Sequence, residues 1–261
     1  MEILDHNTNP RWKKRLLVST PTLGNIRYEW AHARYNQIIP VNWEATGFDV
    51  KVSADKDCAF LQYAPIGFSV EDAYNCMVKK AVELGVDWVL TIEDDVIVPP
   101  DLMVKLSHYM NDEKIPIISG LYYLKANPTL PLVFRGRGNG AYTDFKVGDK
   151  VWCDGVPMGC LLIHTSILKY FWEREKEYTL PNGEITKKVF ETPRKTFIDP
   201  QTLGVYIQAG TQDLDFCDRI IDQEVLKQTG WKNIARRKYP FLCDTSIFCR
   251  HIDRNTGRQY P

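Results

Sequence analysis

Short apolar runs alternate with longer stretches of helical period through the first half of the chain. Residues 16–20 read as a strand, Pro21-Thr22-Leu23-Gly24 as its turn, and residues 26–39 as an amphipathic helix. Residues 48–52 and 59–63 alternate like strands. Ser69 opens a helix, with Asp72 three positions on in a capping-box arrangement. Ala73, Met77, Ala81 and Leu84 form its apolar stripe and Gly85 ends it. Residues 89–92 are a short apolar run that passes directly into Glu93-Asp94-Asp95. After Pro99 and Pro100, a helix runs from Asp101, a candidate cap, to about Met110, and residues 115–124 suit a long strand. Alternating strand and helix predicts an α/β fold with a parallel-rich central sheet flanked by helices, Rossmann-like in its first half.

The second half is patterned differently. Residues 131–153 hold short strand-like runs separated by Gly136, Gly138, Gly140 and Gly148. Residues 151–163 are strand-like around Gly155, Pro157 and Gly159, and residues 170–202 are polar and weakly patterned, which predicts a long loop or lid. A helix follows Thr211, and residues 241–250 return to strand character. No Gly/Ser linker divides the chain. The expectation is one domain over 1–261, with a donor-binding half over about 14–110, a mixed, loop-rich acceptor and catalytic half over about 111–252, and a tail over 253–261.

Composition narrows the class. The 261 residues are 44% hydrophobic and 25% charged with no net charge, so bulk electrostatics predict neither a nucleic-acid nor a membrane partner. Seven cysteines, none in a Cys-x-x-Cys pair, read as buried thiols of a reducing compartment. No signal peptide or membrane-spanning stretch is evident, which predicts a soluble, cytoplasmic protein with no obligate protein partner. Charge is uneven, however. Between Trp231 and Pro261 stand Lys232, Arg236, Arg237, Lys238, Arg250, Arg254 and Arg258 against Asp244 and Asp253. Such a run is usually a solvated face, but it can meet an anionic ligand.

Glu93-Asp94-Asp95 carries the sharpest chemistry. Ligands of open α/β sheets bind at the carboxyl ends of the strands. Three adjacent carboxylates there repel one another unless they share a cation. Hard divalent cations take carboxylate oxygens and share them with substrate phosphates, so the triplet points to a metal–diphosphate site. The plainer reading is an acid-rich turn that caps the following helix.

The triplet, the Gly-containing unit at Met158-Gly159-Cys160, the run Thr211-Gln212-Asp213-Leu214-Asp215-Phe216-Cys217 and the late segment Ile247-Phe248-Cys249-Arg250-His251 follow in an order that resembles the GT-A fold glycosyltransferases, with their Asp-x-Asp metal motif. The resemblance covers about 14–252 and is strongest over 69–106. It implies transfer of a sugar from a nucleotide-sugar donor, a UDP-sugar among the options, to an acceptor hydroxyl, with Mn²⁺ or Mg²⁺ as cofactor. Asp95 is then the leading metal ligand. Glu93 stands where the family has Asp, one methylene longer, and is placed on the metal or the ribose; Asp94 lies between them. His251 completes the metal set and favours Mn²⁺.

Asp213 is implied as the general base of an inverting reaction, with Asp215 in reserve; on bare sequence both simply favour a helix N-terminus. Thr20, Pro21 and Thr22, Asp55 and Asn75 are implied at the nucleotide, although Tyr74 replaces the Arg that many relatives carry before that Asn. Gly159 permits close approach of donor or acceptor, or marks a bulge. Trp152 and Trp231 are candidate stacking rings. The acceptor is a saccharide or, given the aromatic residues within the basic tail, a hydroxymethyl-pyrimidine base of DNA such as some virus-encoded enzymes modify in a host cytoplasm. The alternatives are a nucleotidyltransferase, whose Gly-rich basic loop is missing at Pro21–Gly24, and a non-catalytic nucleotide-sugar-binding module.

Overall fold

The computed structural model describes residues 15–40, 60–137, 140–198, 200–201 and 205–261. The predicted strand over 48–52 and the candidate Asp55 lie outside the described residues. The chain begins β1 (Leu16–Ser19), α1 (Tyr28–Tyr35), β2 (Phe60–Tyr63), α2 (Val70–Leu84), β3 (Trp88–Ile92), β4 (Val96–Ile97), α3 (Leu102–Asp112) and β5 (Ile117–Leu121). It continues through β6 (Lys150–Cys153), β7 (Cys160–His164), α4 (Thr165–Arg174), β8 (Glu177–Thr179), β9 (Ile185–Lys187), β10 (Arg194–Ile198) and β11 (Val205–Ala209). It ends with α5 (Gln212–Asp222), α6 (Val225–Gln228), α7 (Lys232–Ala235), β12 (Phe241–Phe248), β13 (Arg250–Ile252) and β14 (Gln259–Tyr260).

The central sheet has the order β2-β1-β3-β7-β5-β12-β6. β2, β1, β3, β5 and β12 run one way; β7 and β6 run the other. This is a mostly parallel α/β sheet flanked by helices, as the alternating pattern of the first half predicts. Both faces are covered, which is why the central strands read as continuous apolar runs. Leu17, Val89, Leu161 and Ile163 face a core shared with α2, α4 and α5, while Leu16, Val18, Leu90 and Leu162 face one shared with Trp30 of α1 and with α3. The alternation is the period of two of a β-strand.

Local signals decide several boundaries. Ser69 caps α2, its side chain accepting from the Asp72 amide at 3.3 Å, and Gly85 closes it at φ 62°, the left-handed conformation that glycine adopts without strain. Asp101 precedes α3 without a side-chain capping bond; it pairs instead with Lys105 at 3.0 Å. The run over 151–163 is two strands, β6 and β7, that lie apart in the sheet. The predicted lid over 170–202 begins with the end of α4 and contains the β8–β9 hairpin, tied to α2 by Asn75. The six described cysteines are buried thiols, and no described helix is long and apolar enough to cross a membrane.

One pairing sets up the site. β13 pairs antiparallel with β4, placing His251 opposite Val96, and the Ile252 amide donates to the Asp95 carbonyl at 2.8 Å. β14 then pairs with β13, so residues set apart as a tail are folded against the acidic turn.

Candidate active site

The acidic triplet leaves the carboxyl end of β3 into a turn held from several sides. The Glu93 amide donates to the Gly159 carbonyl at 3.0 Å, and Trp30 Nε1 donates to the Glu93 carbonyl at 2.7 Å. The Glu93 carboxylate accepts from the Tyr74 hydroxyl. Burial, then the nearby charge of Asp95, with Asp213 and Asp94 adding to it, push the Glu93 carboxyl up to about 7 despite the phenol that favours its ionised form. Tyr74 therefore supplies a hydrogen-bond donor at the acidic turn.

Asp94 is buried and pairs with Arg254, yet burial holds its carboxyl above the usual range. Asp95 is more open. Its Oδ2 accepts from Lys125 and lies 3.7 Å from Arg254, and its Oδ1 is 3.8 Å from His251 Nε2. His251 Nδ1 lies 2.7 Å from the Tyr123 carbonyl, which can only accept, so Nδ1 carries the proton and Nε2 turns a lone pair toward Asp95. Burial lowers the His251 pKa, favouring the neutral ring. A neutral imidazole oriented through its other nitrogen beside a carboxylate suits a divalent cation. Among the described residues no group of three or more His, Cys, Asp and Glu forms a cage.

Asp213 lies in the first turn of α5, one Oδ accepting from the Leu214 amide at 2.9 Å. Burial raises its pKa, and its charge acts on Glu93, Tyr74 and Tyr122. The fold therefore places Asp213 within electrostatic range of the acidic turn, 120 positions away in the sequence (213 − 93). Asp215 belongs elsewhere: it faces Arg219 at 3.7 Å, and Arg219 also binds Glu175 and the Val189 carbonyl. Its reserve role as base is not supported by that placement.

Three further expectations are corrected. Asn75 is 1% exposed, and its amide is fully engaged: Nδ2 donates to the Tyr178 hydroxyl and the Phe190 carbonyl, and Oδ1 accepts from the Phe190 amide. It fastens the hairpin to α2, a structural role in place of the expected contact with an open cavity. Gly159 does permit a close approach, but by Tyr122, whose ring a Cβ would strike and whose hydroxyl accepts from the Gly159 amide at 2.7 Å. Trp152 and Trp231 line a cavity with Glu113 and Ile115, at the amino end of β5. At about 3.3 Å per residue, β5 separates that end from the acidic turn by roughly 15–20 Å.

Thr20, Pro21 and Thr22 are placed as expected at the carboxyl end of β1. Pro21 and Thr22 line a cavity of about 210 Å³ with Ser69, Ala73, Glu93 and Arg254. Lys125 and Arg254 are the site residues that sequence reading passed over, Arg254 having been one of seven tail cations. Lys125 follows β5 by four residues (125 − 121), and the first cation beyond β5, a strand separated from β3 only by β7, was the available signal.

No protein-family model matches this chain, and no curated protein matches it in sequence. Among solved structures, A197 from STIV superposes with a TM-score of 0.51 at 13% identity, over 94% of this chain and 93% of that one. That likeness is one of fold along nearly the whole length. TarS of S. aureus matches 60% of this chain and 29% of its own, at 11% identity and a TM-score of 0.36. Its residues 1–349, solved in complex with UDP and with UDP-GlcNAc, give TM-scores of 0.35 and 0.34.

Proposed function

We propose that this protein is a metal-dependent glycosyltransferase that moves a sugar from a nucleotide-sugar donor to an acceptor hydroxyl with inversion. The observation that carries the proposal is the convergence of Asp213 on the Glu93–Asp95 turn, beside Lys125, Arg254 and an oriented His251. The donor's anionic part belongs against Lys125 and Arg254, whose charges offset what builds on the departing diphosphate. Asp95 and His251 would hold a divalent cation, which as a Lewis acid would supply further neutralisation of that charge. Glu93 and Tyr74 face the donor's sugar or ribose.

Asp213 accepts the proton of the acceptor hydroxyl as its oxygen bonds to the anomeric carbon. The bond from that carbon to the diphosphate oxygen breaks, and the nucleoside diphosphate leaves with the electron pair. Burial suits Asp213 to this task, because a carboxylate with a raised pKa is a stronger base. The donor half would run through about residue 110, near the end of α3, and the acceptor half would follow it. A saccharide hydroxyl and a hydroxymethyl-pyrimidine of DNA remain the acceptor proposals. The Trp152–Trp231 groove, remote from the turn, adds no contact at the transferred group to the DNA option.

The test is release of nucleoside diphosphate from sugar nucleotides with Mn²⁺ and with EDTA, followed by the anomeric configuration of the glycoside formed. Metal-dependent release and an inverted product are expected. A retained configuration would remove Asp213 from the role of base. Release of pyrophosphate in place of nucleoside diphosphate would replace the reading with nucleotidyl transfer.

A further inference from the structure

Among the described residues, Arg34 is a buried cation without a carboxylate partner. It lies in α1, is 3% exposed, and packs its guanidinium 5.4 Å from the Tyr35 ring. Among the described residues its one side-chain bond is from Nη2 to the neutral Gln62 Oε1, at 3.3 Å, and Nε is buried with no acceptor. Among the described residues no acid faces it, and burial pulls its pKa down to about 10. An unpaired charge in such a place is costly, and proteins rarely keep one unless something arrives to meet it.

Arg34 and Gln62 line a cavity of about 230 Å³ whose other walls include Trp30, Tyr63 and Ile66. Thr22 borders both this cavity and the neighbouring one that holds Glu93 and Arg254. Trp30 is shared in a second sense, because its indole also holds the Glu93 carbonyl. The two cavities therefore adjoin: an aromatic slot with a guanidinium, then the acidic turn with its cations. Flat apolar walls suit a ring better than a free phosphate, and a guanidinium only donates, so the edge of that ring must accept.

We infer that Arg34 selects the donor's nucleobase, taking a base with an exocyclic carbonyl (uracil, thymine or guanine) over one with an amino group there (cytosine or adenine). The inference rests on the donor-site reading above and adds the choice of base. Uracil and thymine O4 and guanine O6 accept a hydrogen bond, whereas cytosine N4 and adenine N6 donate and would oppose the guanidinium. Gln62 holds the guanidinium in place without neutralising it, as a carboxylate there would.

The experiment is calorimetric titration of the full chain with UDP, GDP, CDP and ADP at one Mn²⁺ concentration. It compares wild type, Arg34→Met and Gln62→Glu, and takes Tm for each. Wild type is expected to bind UDP or GDP about tenfold or more tightly than CDP and ADP, the scale of a good base-edge contact. Arg34→Met should bring all four to within about twofold while melting no lower than wild type, since an uncompensated buried charge is removed. Gln62→Glu should weaken the preferred nucleotide by about tenfold and raise Tm, because the guanidinium then has an internal partner. Should Arg34→Met lower Tm and weaken all four nucleotides alike, Arg34 would be a structural residue and the inference would fall. Binding by wild type with no base preference would also overturn it and leave the donor reading standing. No binding of any nucleotide would remove both.

Discussion

Asp244, within β12, and Asp95, in the turn after β3, are both carboxylates of the central sheet region, yet the protein treats the two in opposite ways. Asp244, in β12, accepts from the Tyr109 hydroxyl at 2.5 Å and from the amide and hydroxyl of Ser246 at 3.0 and 2.7 Å. Every contact there is a neutral donor supplied by the fold. Asp95 stands beside two other acids, holds two cations, and faces a histidine nitrogen that donates nothing to it. A carboxylate kept for stability is closed off by its own hydrogen bonds. One kept for a ligand is held by charged side chains that a ligand can engage in its place.

The comparison breaks most visibly at Asp213. Asp213→Asn should lower the transfer rate on the order of 10²–10⁴-fold, the usual scale of a general base, while donor affinity stays nearly unchanged. Single-turnover rates and donor titrations separate the two effects. Full transfer by the variant would end its assignment as base.

Next in size is the oriented imidazole. His251→Ala should weaken the Mn²⁺ dependence of donor binding by roughly 10–100-fold, the range seen when a metal site loses a supporting group. It should leave metal-independent affinity, carried by Lys125 and Arg254, in place. Donor titrations across a Mn²⁺ series would show this as a displaced midpoint.

The closed carboxylate gives the contrasting result. Tyr109→Phe deprives Asp244 of a buried donor and should cost about 1–3 kcal/mol in denaturant unfolding. Its transfer rate under native conditions should match wild type. Loss of transfer in this folded variant would mean that the two carboxylates are not divided as argued.

How much of this was legible beforehand depends on the range of the interaction. The helix over 70–84 was readable because Ser69, Asp72 and Gly85 act locally, and β3 with its acids because a buried strand and a charged turn are local patterns. His251 and Asp213 were singled out by their order in the chain, and pairing of β13 with β4 explains why the former lies beside Asp95. Asn75 was misread because its partners, Tyr178 and Phe190, lie in a segment whose weak periodicity concealed a hairpin. Lys125, Arg254 and Arg34 were hidden for a common reason. A cation at the surface and a cation beside a site look alike until tertiary contacts assign them.

The smallest expected effect is in pH. Burial raises the Asp213 pKa, so the acid limb of the transfer rate should lie above the ordinary aspartate range, with activity rising as the base ionises. For stability the sign is the reverse of a salt-bridged acid: the folded pKa is above the unfolded one, so stability is lost as pH rises through the folded value. Asp213→Asn should remove that loss. Denaturant midpoints for both proteins between pH 4 and pH 7, a window set by the direction of the shift, would check it.

The most direct test of the central claim is a thermal-shift panel of UDP-, GDP-, CMP- and dTDP-sugars with Mn²⁺, Mg²⁺ or EDTA, on wild type and Asp95→Asn. A ligand at about 100 times its Kd stabilises a fold by roughly 2.7 kcal/mol, or about 5 °C or more for a chain of this size. The account predicts such a rise for one class of donor, dependent on the metal and absent from Asp95→Asn. A rise of the same size in Asp95→Asn, or none with any donor and metal in wild type, would contradict the assignment of the Glu93–Asp95 turn as the donor site.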